Sequence, residues 1–166
     1  RLWMPPRLHG QSGEHERKVT WLELFSDLVY VAVMIQVGNS LSANVSLSGF
    51  LGFALIFASI WWAWSGLTFF MNRVIVDDFW HRNLLFLQIM AFTWLGISVG
   101  GAFSDLSMQF ALIYAALRLV VLLMYVRAYK HTPAARPLTR RYIVAFSIGI
   151  VLWLISAFVP APYNYA

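Results

Sequence analysis

The sequence predicts an all-α, polytopic helical membrane protein with about five transmembrane helices and a cytoplasmic N-terminus, and three observations carry that prediction. Only 11% of the residues are charged, against roughly 25% in a soluble domain, while 60% are hydrophobic and 17% aromatic. Five stretches are long and apolar enough to cross a hydrocarbon core, which takes about 20 helical residues. Eleven of the 12 Lys and Arg residues fall on one side of those stretches.

Residues 1–20, "RLWMPPRLHGQSGEHERKVT", form an N-terminal arm without the apolar core of a signal peptide. Position 1 is Arg, so the chain reads as part of a longer protein. The first span covers 21–42 and stops at "SLSANVSLSG"; the second covers 48–71 and stops at "RVIVDD". The third, 82–103, runs into "GGAFSDLS", the fourth, 107–129, into "HTPAARPLTRR", and the fifth, 141–159, into "PAP". Arg1, Arg7, Arg17 and Lys18 precede the first span, and Arg73 and Arg82 lie between the second and third. Arg127, Lys130, Arg136, Arg140 and Arg141 surround the connection from the fourth to the fifth. The connections on the other side carry none, so the positive-inside rule assigns the basic side to the cytoplasm; the expected location is a cell's inner (plasma) membrane. Positive charge spread over short juxtamembrane loops suits anionic lipid at the cytoplasmic face, and no nucleic acid is expected as a partner.

The twelfth basic residue, Arg118, lies inside the fourth span, about 13 Å from Arg127 at 1.5 Å per residue. A guanidinium at that depth costs roughly 2.5 to 17 kcal/mol unless it is paired or wet. The first span opens with two acids, Glu23 and Asp27, one helical turn apart on one stripe. Both sit where the helix dipole favours negative charge. The expected partner for Arg118 is Asp27, with Glu23 nearer the mouth. Such a network either holds helices in register or takes part in ion or proton movement. Gln36 and Asn39 point to the side opposite the acids, and a helix polar on both sides is expected at the centre of the bundle. Gln88, about two turns into the third span, is placed to join the same cluster. Trp61, Trp62 and Trp64 read as an aromatic belt.

The loop "MNRVIVDDFWHRN" supplies a second group, Asn72, Arg73, Asp77, Asp78 and Arg82. The two aspartates are placed to cap the third span and the arginines to flank them; an ion-collecting ring is the alternative. There is no cysteine, no HExxH, no GxGxxG and no P-loop, and none of the four histidines lies deep in a span. No catalytic residue, metal site or cofactor is expected, nor is enzymatic activity.

"WLELFSDLVYVAVMIQ", "MNRVIVDDFWHRNLLFLQIMA" and "ALRLVVLLMYVRAYKHTPAARPLTRRY" together resemble the bacterial low temperature requirement A family over almost the whole chain. Carried over by position, the family's polar landmarks fall on Trp21, Glu23, Asp27, Gln36, Asn72, Arg73, Asp77, Asp78, Arg82, Gln88 and Arg118. Ser26 departs from the pattern, where the family commonly has Phe. The resemblance implies a multi-spanning membrane protein with further spans beyond these. Phe25–Ser26–Asp27 is also similar to a signature on the first helix of a class of lysosomal and bacterial potassium channels, although Trp21 stands where those channels have Arg.

The resulting expectation is a channel- or transporter-like protein for a small ion with a buried carboxylate–arginine network. The alternatives are a non-transporting structural or scaffold subunit, and a membrane enzyme whose active site lies outside this stretch. Its partner is expected to be a second copy or the C-terminal remainder of a longer chain.

Overall fold

A computed structural model describes residues 6–8, 20–43, 45–102 and 106–158 of the chain. Within them run five helices, each long and apolar enough to cross a membrane: α1 (Trp21–Ala43), α2 (Leu47–Arg73), α3 (Phe79–Ser98), α4 (Ser107–His131) and α5 (Arg136–Ala157).

Local chemistry sets where the helices begin and end. The sequence Thr-Trp-Leu-Glu opens α1 as a capping box. The Glu23 backbone N–H donates to Thr20 Oγ1, and the Thr20 N–H donates to Glu23 Oε2, both at 3.3 Å. Ser46 caps α2 by accepting from the Gly49 N–H at 3.1 Å. Asp78 caps α3 by accepting from the His81 N–H at 2.9 Å, which starts this helix three residues before the expected 82. Helix α5 starts at Arg136, ahead of the expected 141, because Pro137 suits a first turn that needs no N–H donor. Helix α3 tightens into a 3₁₀ turn at Val99–Gly101; a Cβ on Gly101 would lie 2.7 Å from Leu106 Cγ. Any side chain at 101 would require Leu106 to shift.

The basic end of the bundle is tied together. Arg7–Leu8 pairs antiparallel with Val74–Ile75, between α2 and α3. Thr132 Oγ1, just past α4, donates to the Pro6 carbonyl at 2.6 Å. The short arm segment thus bridges two inter-helix connections.

Helix α4 is the axis of the described bundle, packed against α3 and α5 with α2 across it. Helix α1 leans on α3 and α2, most closely where Val33 rests on Gly96; a Cβ there would lie 3.0 Å from Val33 Cγ2. Within the described bundle the first span is therefore peripheral, not central as expected. Only Glu23, Ser26, Val33 and Val37 of α1 are buried.

The core is divided. One apolar cluster, toward the end where α1 meets α2, gathers Val33, Val37, Ile60, Ala63, Phe92, Leu95, Phe110 and Leu117. A second, toward the basic end, gathers Leu67, Phe70, Leu85, Val121, Met124, Tyr125 and Phe146. On α4 the boundary falls between Leu117 and Val121, on α3 between Leu85 and Phe92, and on α2 between Ala63 and Leu67. Arg118, Gln88 and Gly66 occupy those three gaps.

Candidate functional site

At the basic end, Asp78 forms a two-pronged ion pair with Arg127 of α4. Arg127 Nη1 donates to Asp78 Oδ1 at 2.9 Å, and Nη2 donates to Oδ2. The Asp78 side chain is fully buried and that of Arg127 is 16% exposed. One carboxylate therefore caps α3 and locks it to α4. Asp77 does not cap; it takes Arg82 in a second two-pronged pair, at 2.8 and 3.0 Å, on the exposed surface. The hydrogen bond from Arg82 holds the Asp77 carboxyl below the usual carboxylate range. Arg73 reaches the Tyr142 hydroxyl at 3.4 Å, and Asn72 beside it is exposed. His81 is buried in the field of Glu23 and Asp78. A groove of about 730 Å³ opens here between the starts of α1 and α3, with Trp21, Phe25, Asp77, His81 and Arg82 among its walls.

The Asp78–Arg127 pair sets a reference level for the deeper residues. Gln88 lies ten residues along α3 from Asp78, and Arg118 nine residues along α4 from Arg127, so both are about 14 Å from the pair. They stand at one level, between the two apolar clusters. Gln88 is completely buried, and neither its amide nitrogen nor its amide oxygen meets a hydrogen-bond partner among the described residues. In native structures a group left in that condition calls for a water, an ion or a functional role.

Arg118 is buried and meets no carboxylate among the described residues. Its Nη1 donates to the Trp62 carbonyl at 3.3 Å, and its guanidinium carbon lies 4.9 Å from the Phe146 ring centre and 5.6 Å from that of Tyr114. Gly66 makes room for it, since a Cβ there would come within 3.2 Å of Nη1 and 3.1 Å of Phe146 Cζ. The bond to Trp62 is the middle rung of three. Tyr114 Oη donates to the Ser59 carbonyl at 2.8 Å, and Tyr125 Oη to the Gly66 carbonyl at 3.4 Å. A helical carbonyl keeps a second lone pair for such a bond, so α4 is pinned to α2 at three successive levels.

The expected Asp27–Arg118 pair is thus not formed. Asp27 faces α2, where Trp64 Nε1 donates to its Oδ1 at 2.9 Å and the Trp64 indole stacks on Tyr30 at 4.8 Å. The two charged side chains belong to helices that do not pack closely on each other, and each finds its partner on α2. Glu23 is taken up by the capping box, a role the Thr-x-x-Glu spacing signals directly. Gln36 and Asn39 lie on the other side of α1 as expected, exposed along a groove of about 640 Å³ shared with α3, and away from Gln88 and Arg118. Trp64 is half-buried inside the bundle, and Trp62 lies about 16 Å from the end of α2, well below any interfacial belt. Among the described residues no group of His, Asp and Glu side chains is arranged to hold a metal ion.

Residues 18–166 match the family described as bacterial low temperature requirement A protein (LtrA). The chain belongs to the LtrA family. An LtrA chain of this kind is similar to an uncharacterized protein of Rhizobium meliloti, 29% identical over 140 residues. That match covers 84% of this chain and 34% of the relative, so the chain spans about a third of the length of the curated relative it matches. No solved structure matches the chain. These matches lend no support to the likeness between Phe25–Ser26–Asp27 and potassium channels.

Proposed function

We propose that this LtrA chain forms part of a channel- or transporter-like protein for a small ion. In this reading the basic end faces the cytoplasm at the plasma membrane, and the level of Gln88 and Arg118 is the translocation level. The bare amide of Gln88 carries the reading. A fully buried amide with no partner among the described residues costs about 1–3 kcal/mol. A polar level closed by apolar clusters on both sides is what an occluded binding layer requires: polar groups for a desolvated ion or its water, and walls that block leakage. The groove beside Asp77, His81 and Arg82 would serve as the cytoplasmic vestibule. The exposed Lys130, Arg136, Arg140 and Arg141 would contact anionic lipid.

The three rungs from α4 to α2 favour a second reading, a scaffold in which Arg118 only fixes helix register. Flux through liposomes containing the full-length protein separates the two, comparing wild type with Gln88→Leu. Leu removes the unsatisfied amide, so the variant is expected to be more stable by about 1–3 kcal/mol and to lose flux. Absence of ion flux in the folded wild type would sink the transport reading and leave the scaffold.

A further inference from the structure

Helix α1 carries polar groups on surfaces that nothing in the described chain covers. At one rim of its outward face, Asp27 is exposed and, among the described residues, holds a single hydrogen bond, from Trp64. It lies about 9 Å along the helix from Trp21, inside the hydrocarbon level of a spanning helix. Further along, Gln36 and Asn39 are exposed at the α1–α3 groove, and their side-chain amides make no hydrogen bond among the described residues. Between them the face is apolar, with Leu28 67% and Ile35 58% exposed.

Helix α5 supplies the contrast. Its outward face shows Ile148, Val151, Leu152 and Ile155, each more than half exposed and none polar. That face suits acyl chains. The α1 face does not, because a carboxylate at membrane depth costs at least about 2.5–3.5 kcal/mol unless something pairs or wets it.

We propose that the exposed face of α1 is an interhelical surface, covered in the assembled protein by further membrane-spanning helices of the same, longer polypeptide. One of these would present a basic or hydrogen-bond-donating side chain to Asp27. Charge selects the occupant. Two α1 faces meeting around a two-fold axis would bring two Asp27 carboxylates together, so a second copy is disfavoured. The Rhizobium meliloti relative, of which this chain matches a third, is long enough to contain such helices. This inference does not depend on ion transport.

The test is site-specific photo-crosslinking in the full-length polypeptide in its native membrane, with benzoylphenylalanine replacing Leu28 or Ile35 on α1 and Ile148 or Leu152 on α5. Mass spectrometry should find the α1 positions joined to peptides of the same polypeptide outside residues 1–166, and the α5 positions joined to lipid. With the label at Leu28, Asp27→Lys should reduce the yield several-fold while Asp27→Asn leaves most of it. Lipid adducts at the α1 positions, crosslinked dimers of the chain, or adducts to a different protein would each overturn the proposal. Equal yields from Asp27→Lys and wild type would overturn the basic or donor character assigned to the partner.

Discussion

Two arginines of α4, nine residues apart, are stabilised by opposite means. Arg127, at the basic end, meets the buried Asp78 carboxylate with two nitrogens. Arg118, about 13 Å deeper, meets a backbone carbonyl and two aromatic faces instead. The contrast shows that charge at depth need not call up an opposite charge. A guanidinium is weakly hydrated, planar and delocalised, so a helical carbonyl and ring faces can replace water around it. An acid is useful where the pair also ends a helix, and Asp78 serves both needs at once.

Breaking the Asp78–Arg127 pair should give the largest effect. Arg127→Ala removes both hydrogen bonds that its guanidinium gives the buried Asp78 carboxylate and should cost about 3–5 kcal/mol in thermal or denaturant unfolding in detergent. Asp78→Ala should cost about 1 kcal/mol more, because the α3 cap is lost as well. Equal costs for the two would show that the cap contributes nothing.

Arg118 should respond differently. Arg118→Lys, which keeps the charge and loses the planar stack, should cost about 1–2 kcal/mol. Arg118→Met, which removes the charge and keeps much of the volume, should be tolerated to within about 1.5 kcal/mol. A Met variant much worse than the Lys variant would mean that the cation meets an acid after all.

Trp64→Phe retains the stack on Tyr30 and removes the donor to Asp27, with an expected loss of about 1 kcal/mol. Smaller still are the effects at the start of α1. Thr20→Ala should cost about 1 kcal/mol or less, because it removes the hydroxyl that accepts from the Glu23 N–H. Asp77→Asn should change stability by no more than about 1 kcal/mol, the ceiling for an exposed pair. Its pH dependence has a definite sign. The carboxyl is held low in the fold, so the contribution is present above the ordinary carboxylate range and is lost as pH falls through the lowered value.

Much of the fold was legible in the sequence because the signals are local. Apolar length marks the spans, and Gly, Pro and capping residues mark their ends, so the expected and observed helices differ by a few residues. The depth of Arg118 and Gln88 was also legible, since it follows from counting residues along a helix. Partnership was not. Which side chain meets Arg118 depends on which helices are neighbours, and α1 packs on α3 and α2 while α4 faces α2 through a polar edge. Trp64 passed for a belt residue because periodicity does not reveal that its N–H points at Asp27. Arg127 passed for a topology marker because its partner, Asp78, lies 49 residues away. The Thr20–Glu23 box, by contrast, was present in the spacing as a plain capping signal.

Double-mutant cycles on the two arginines test the account most directly. They would compare the coupling of Asp78 to Arg127 with that of Asp27 to Arg118, read from unfolding of the full-length protein. The coupling should be several kcal/mol for the first pair and within about 0.5 kcal/mol of zero for the second. Strong coupling between Asp27 and Arg118, or none between Asp78 and Arg127, would contradict it.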